Sequence, residues 1–254
     1  MEQLPKKNIL GIAVTDAKSD DILQYITRSL EDTVESYYIV TPNPEMIVFA
    51  GKSPSFKKIL NQAQIALPDG IGVTIAARIL GKGVRERVSG TDLMESLCAK
   101  VAKKPITVGF LGGKDRVAEK TVECLLRKYP GLNVVFIAEE WGDEGFRNMQ
   151  AISNVKSQIP NSVDILFVAF GFPKQEEWMA NHLGKIPVRI MMGVGGAFDY
   201  LSGKVPRAPF FLRAIGLEWL FRLFVQPWRW RRQLSLISFF MIAGKEFLIR
   251  SKEV

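Results

Sequence analysis

The chain has 254 residues, 47% of them hydrophobic and 24% charged, a balance that excludes a disordered polymer and suits one large domain or a domain with an appendage. Its two cysteines, Cys98 and Cys124, form no metal or redox spacing, and no N-terminal stretch has signal-peptide character, so a reducing, cytoplasmic setting is expected with both thiols packed in helices. The net charge of +8 is concentrated: residues 204–254 hold ten basic against three acidic residues, and ten of the 26 Phe, Trp and Tyr residues.

Up to Gly203 short β-branched runs alternate with helical patterns. The strand candidates, in order, are "ILGIAV", "YYIVT", "IAL", "ITVGFLGG", "NVVFIAE", "VDILFVAF" and "VRIMMGVGG". Between them, stretches such as "DRVAEKTVECLLRKY" and "KQEEWMANHLG" repeat apolar residues at three and four. The pattern predicts an α/β domain over residues 1–203, with a largely parallel sheet covered by helices on both faces. Ligands in such domains collect at the carboxyl ends of strands, which directs attention to the loops that follow them.

The first such loop is "TPNPEM", Thr41 to Met46. Asn43 and Pro44 suit the start of a helix, and a stiff loop presenting Thr41, Asn43 and Glu45 equally suits sugar hydroxyls. In "LPDGIG", Asp69 stands at a bend, where it can turn the chain and cap a helix starting near Ile71. A carboxylate at the end of a buried strand can also serve as a general base. "RERVSG" and the tail arginines offer cations, which ordinarily serve solubility but could also neutralise a diphosphate leaving group.

"GFLGGKD" (Gly112, Gly113) and "GVGGAFD" (Gly193, Gly195, Gly196, then Asp199) set glycines where strand gives way to helix or loop. Tight turns explain them, and so does close approach of main-chain N–H groups to a diphosphate. Neither fits the dinucleotide fingerprint, which disfavours a nicotinamide enzyme. In "FPKQEEW", solvation of a helix start is the ordinary explanation for Lys174, Gln175 and Glu176, with Gln175 the amide able to bind a hydroxyl or phosphate. His182 is the sole histidine and no Asp-x-Asp occurs, so no metal site is expected.

Residues 204–254 read as a separate helical, basic and aromatic appendage. "RAPFFLRAIGLEWLFRLFVQ" predicts one helix, apolar almost all round, ended by Pro227 and carrying a Glu218–Arg222 pair. "WRWRR" follows, then "QLSLISFFMIAGKEFLIRSK", whose apolar part is short of the roughly 20 residues a bilayer span needs. A helix lying in the membrane interface fits better. Nucleic-acid binding is the rival for a basic aromatic tail, but the long apolar runs suit lipid or a protein interface instead.

Taken in order, "TPNPEM", "LPDGIG", "RVSGTDL", "GFLGG", "FGFPKQEEW", "GVGGAFD", "RAP" and "GLEWLFRL" resemble the WecG/TagA/CpsF family of bacterial glycosyltransferases, from about Ile9 to Trp230. The resemblance implies a Rossmann-like domain that acts without metal on a UDP-sugar and a polyprenyl-diphosphate-linked sugar at the cytoplasmic membrane face. Similar members transfer N-acetylmannosamine to lipid-linked N-acetylglucosamine in teichoic acid synthesis, and others move N-acetylmannosaminuronic acid or glucose in polysaccharide assembly. It implies Asp69 as general base, with Thr41, Asn43, Arg87 and Gln175 at the reaction centre and Asp199 near the nucleoside. Trp141 is the candidate for stacking on uracil, although "AEEWGDEGF" departs from the family's His-Gly-Tyr-Phe pattern. The glycines at 112, 113, 193, 195 and 196 are then expected on the nucleotide sugar. Arg207, Arg222, Arg229, Arg231 and Arg232 are expected to serve the diphosphate or the anionic membrane, the tail folding over the active site. The partners expected are the donor, the lipid acceptor and the membrane surface, with no nucleic acid and with a homo-oligomer left open. A non-catalytic membrane- or nucleic-acid-binding protein is the alternative of a different class.

Overall fold

The computed structural model describes residues 3–32, 35–139 and 162–251. The chain forms two compact units: residues 1–22, 41–89 and 207–254 make the first, residues 23–40 and 90–206 the second. Elements are numbered along the chain.

The first unit begins with an antiparallel hairpin, β1 (Lys6–Ile9) and β2 (Ile12–Thr15). The run "ILGIAV" is therefore not one strand: Leu10 and Gly11, with φ of 52° and 85°, turn the chain in its middle. No Asn-Gly or Asp-Gly marks the turn, and the apolar run continues through it, which is why the sequence reads as a single strand. Helices α2 (Pro44–Lys52) and α3 (Pro54–Gln62) start alike, with Pro in the first turn and a side-chain cap, from Asn43 to the Met46 N–H and from Ser53 to the Phe56 N–H. The two-residue strand β4 (Ile65–Ala66) follows, its Ala66 N–H donating to Thr15 Oγ1 at 3.0 Å, and then α4 (Ile71–Ile79).

The tail completes this unit. Instead of one helix up to Pro227 there are two, α9 (Phe210–Ala214) and α10 (Glu218–Val225), separated at Gly216. Gly216 has φ +80°, and a Cβ there would lie 2.5 Å from the Cβ of Ile71, so the break lets the backbone pass against α4. A 3₁₀ turn at Pro227–Arg229 leads into α11 (Trp230–Arg250), which packs on α2 and α4 and sinks Phe239 and Ala243 completely. Phe210, Phe211, Phe224, Trp228 and Ile237 are left exposed. Among the described residues no helix is long and apolar enough to cross a membrane.

The second unit is built on five parallel strands in the order β3 (Tyr37–Val40), β8 (Val188–Gly193), β7 (Val163–Ala169), β5 (Thr107–Gly112), β6 (Asn133–Ala138). Ile165, Leu166, Phe167 and Val168 are all fully buried, and because successive side chains point to opposite faces, the sheet is covered on both. This is the α/β architecture with helices on both faces that the alternating runs predict. The helices are α5 (Gly90–Val101), α6 (Val117–Lys128), α7 (Lys174–His182) and α8 (Ala197–Leu201), while α1 (Ser19–Asp32) begins in the first unit and runs into the second. Cys98 lies in α5 and Cys124 in α6, both in helices as expected. Phe110 anchors the core, 5.4 Å from the ring of Phe167 and 5.7 Å from that of Phe198.

Candidate active site

In the first unit, three motif segments come together around the start of α4. The Asp69 N–H donates to Pro42 O at 3.1 Å and to Leu67 O at 2.7 Å, so the Pro-Asp-Gly bend is stitched to the Thr41–Pro44 segment. The residue that caps α4 is Gly70, with φ +82°, and Asp69 stands one position before it, half-buried. Gly72 is required by the same contact, because a Cβ there would lie 2.7 Å from Pro44 Cγ. Thr41 is buried, and Asn43 spends its carbonyl oxygen on the Met46 N–H at 3.0 Å. Asn43 is thus the helix cap that its bland reading describes.

Arg87 lies on the segment after α4, and that segment is tied down almost residue by residue. Lys82 Nζ donates to Asn8 O at 2.9 Å, Lys7 Nζ to Gly83 O, and the Arg85 N–H to Asp16 Oδ1 at 2.7 Å. Glu86 accepts from the Ser19 N–H at 3.0 Å, at the start of α1. Asp16 is buried, and burial pushes its carboxyl up. Hydrogen bonds from Lys7, 3.0 Å away, and from the Arg85 N–H more than offset this and hold it below the usual carboxylate range.

The tail meets all of these segments. The Arg87 guanidinium donates to Arg213 O at 2.6 Å, Gly216 lies against Ile71, and Arg232 pairs with Glu45 through Nε to both carboxylate oxygens at 3.0 Å and Nη2 to Oε2 at 2.6 Å. Arg232 is therefore committed to the carboxylate of the Thr-Pro-Asn-Pro-Glu segment. Arg207 lies 3.5 Å from Glu218, Arg222 Nε donates to Gln226 Oε1 at 3.1 Å, and Arg213 Nε to Ala208 O at 3.1 Å. The side chains of Arg229 and Arg231 lie outside the described set, and so does Trp141 altogether.

In the second unit the candidate residues gather at the carboxyl ends of β5, β7 and β8. After β5 come Gly112 and Gly113 with φ of 104° and 80°, then Asp115 and Arg116 with φ of 61° and 59°, an uncommon run of left-handed residues before α6. Gly112 permits a close approach, since a Cβ there would lie 2.7 Å from the main-chain carbon of Ala169. Lys204 pairs with Asp115 at 2.8 Å. After β8, Val194 N–H donates to Val168 O at 2.9 Å, and Gly195 (φ +51°) and Gly196 lead into α8, which carries Asp199, half-buried.

The start of α7 differs from its sequence reading. Solvation fits Lys174, which is exposed, but Gln175 is 2% and Glu176 0% exposed. The first turn of α7 presents these two to the interior and leaves Lys174 and Glu177 outside. Gln175 Oε1 accepts the Gly195 N–H at 3.0 Å, and its Nε2 donates to Glu176 Oε1 at 2.7 Å. Burial pushes the Glu176 carboxyl up to about 7, against the lowering effect of the Gln175 hydrogen bond. Nothing in the sequence distinguishes Glu176 from an ordinary helix-start acid. His182 ends α7, its ring stacked 4.3 Å from that of Trp178.

Among the described residues no three His, Cys, Asp or Glu side chains are grouped to hold a metal ion. The first unit offers a half-buried Asp69 at a bend and a guanidinium held by the tail backbone, and the second offers glycine-rich strand ends.

The sequence model of the glycosyl transferase WecG/TagA/CpsF family matches residues 7–253. An N-acetylglucosaminyldiphosphoundecaprenol N-acetyl-beta-D-mannosaminyltransferase of Bacillus spizizenii is 32% identical over 230 residues, which are 91% of this chain and 87% of the relative. The proteins of the same name from Bacillus subtilis and Staphylococcus aureus are each 30% identical, over 94% and 93% of this chain and 91% of either relative.

Proposed function

This chain belongs to the WecG/TagA/CpsF glycosyltransferase family, and we propose that it moves N-acetylmannosamine from UDP to N-acetylglucosamine carried on a polyprenyl diphosphate, with inversion and without a metal. The names of the relatives support the sugar and the acceptor. The observation that carries the reading is the position of Asp69: a half-buried residue whose main-chain N–H is held by the Pro42 carbonyl, with the tail packed against the same helix start.

In this reading Asp69 takes the proton from the acceptor hydroxyl, whose oxygen forms a bond to the anomeric carbon as the bond to UDP breaks on the opposite face. Arg87 and arginines of the tail neutralise the departing diphosphate. The glycine-rich strand ends of the second unit receive the nucleotide sugar, with Asp199 toward the nucleoside. The exposed aromatic residues of the tail, Phe224 (78%), Phe210 (76%) and Trp228 (71%) foremost, lie among basic residues and support docking on the inner, anionic face of the membrane where the acceptor resides.

The test is incubation of the full chain with a panel of UDP-sugars and a short-chain lipid-diphosphate N-acetylglucosamine, with and without chelator, followed by mass analysis of the lipid product. UDP-N-acetylmannosamine should give the product, unaffected by chelator, and Asp69→Asn should lower kcat on the order of 10²- to 10⁴-fold. Preference for the uronic acid or glucose donor would correct the sugar; turnover lost with chelator and restored by magnesium would end the metal-free mechanism.

A further inference from the structure

The start of α7 and the loop after β8 are joined by two buried side chains in series. Glu176 Oε1 takes one N–H of Gln175 at 2.7 Å, and Gln175 Oε1 takes the Gly195 N–H at 3.0 Å. The amide also lies flat against the end of β8, since a Cβ on Gly193 would come within 3.0 Å of Gln175 Nε2 and of Met179 Cε. Gln175 is thus oriented from both ends. The Gly195 N–H fixes its carbonyl end and Glu176 its N–H end, so removing Glu176 loosens one of the two anchors.

Glu176 reaches this position at a cost. It is fully buried, and its Oε2 has no hydrogen-bond partner among the described residues. A buried, unpartnered oxygen is costly as an anion and tolerable as an acid. An ordinary helix-start carboxylate faces water, as Glu177 does next to it. A burial this unfavourable for a surface acid is explained if the side chain's task is to orient Gln175.

We propose that Glu176 is a positioning residue: acting through Gln175, it holds the Gly193–Gly196 loop in the shape that receives the donor nucleotide. The inference rests on the reading of that loop as the donor's seat. Burial favours the neutral acid while the Gln175 N–H favours the carboxylate, and Glu176 Oε1 accepts from Gln175 in either form. The strands packed against α7 are β3, β7 and β8, whose titratable side chains are Tyr37, Tyr38, Asp164 and Arg189. Asp164 and Arg189 are bonded to each other at 3.0 Å, and α7 itself adds Lys174, Glu177 and His182.

The experiment compares the full-length wild type with E176Q and E176A in UDP titration calorimetry, donor and acceptor KM, kcat against pH, and hydrogen exchange at the Gly195 amide. E176A should raise the donor KM and UDP Kd about tenfold, leave the acceptor KM within about twofold, and speed exchange at Gly195. E176Q, neutral at every pH and able to accept from Gln175, should hold donor KM near the wild type at pH 6. Normal UDP affinity and Gly195 exchange in E176A would overturn the inference, as would an E176Q impaired to the level of E176A at pH 6. If UDP leaves Gly195 exchange in the wild type unchanged, the donor-seat reading itself fails, and the inference with it.

Discussion

Arg87 donates to the main-chain carbonyl of Arg213 at 2.6 Å, joining the loop after α4 to the end of α9 across 126 positions of sequence. A guanidinium held in this way keeps its other N–H groups aimed, and the entropy of fixing a long side chain is spent on folding rather than on binding substrate. The tail therefore holds Arg87 through its backbone. Arg87→Ala should lower kcat about 10²- to 10³-fold, and Arg87→Lys should recover only part of it, since an ammonium cannot hold the carbonyl and fork a diphosphate together. Steady-state kinetics with saturating acceptor measure both.

The tail is also part of the first unit's core. Phe239 is completely buried where α11 lies on α2 and α4, so Phe239→Ala should destabilise that unit by about 3–5 kcal/mol, read from urea unfolding. The neighbouring Phe240, 38% exposed, should cost less than about 1.5 kcal/mol on the same substitution. Equal costs at the two positions would mean that α11 does not dock through this face.

Acid should weaken the anchor of the Arg87 segment. The Asp16 carboxyl, pushed up by burial but pulled down further by Lys7 and the Arg85 N–H, stays below its ordinary 3.8 in the fold. Its contribution to stability is therefore present above that value and is lost as pH falls through the lower, folded one. Asp16→Asn should melt lower than the wild type at pH 7, with the gap closing as pH falls below 3.8. Glu176 runs the other way: raised from 4.5 to about 7, it stabilises the fold fully at low pH and loses that contribution as pH rises through about 7. E176Q should flatten that neutral limb, and thermal melts across pH 3–8 test both signs.

The exposed aromatics of the tail should carry the protein onto anionic vesicles. Flotation with phosphatidylglycerol liposomes should recover the full chain, less as salt rises, because basic residues near the surface each contribute about 1 kcal/mol. Phe224→Asp with Trp228→Asp should reduce the bound fraction about tenfold while leaving the melting temperature unchanged, since both rings already stand in solvent. Binding that survives in the double variant would assign the docking to another surface.

Much of this molecule is legible along the chain because much of it is local. The strand runs of the parallel sheet, the caps at Asn43 and Ser53, and the stop of α10 before Pro227 follow from period, capping chemistry and proline sterics within a few residues. The hairpin at Leu10–Gly11 is missed because its turn carries no polar signal, and the break at Gly216 because the cause is Ile71, far away in sequence.

The candidate site divides in the same way. Asp69 and Thr41 are offered as candidates by their place after strands, and Arg87 by its place in an ordered motif. Their partners are not: Arg232 finds Glu45 across 187 residues, Arg87 finds the carbonyl of Arg213, and Gln175 finds Gly195 across 20. Which face of a helix turns inward decides whether Glu176 is a solvated acid or a buried, raised one, and that depends on what the helix packs against. Residue type and short-range spacing assign the chemistry; closure of long loops and burial in three dimensions assign who holds whom, because a hydrogen bond needs contact and sequence carries distance only along the backbone.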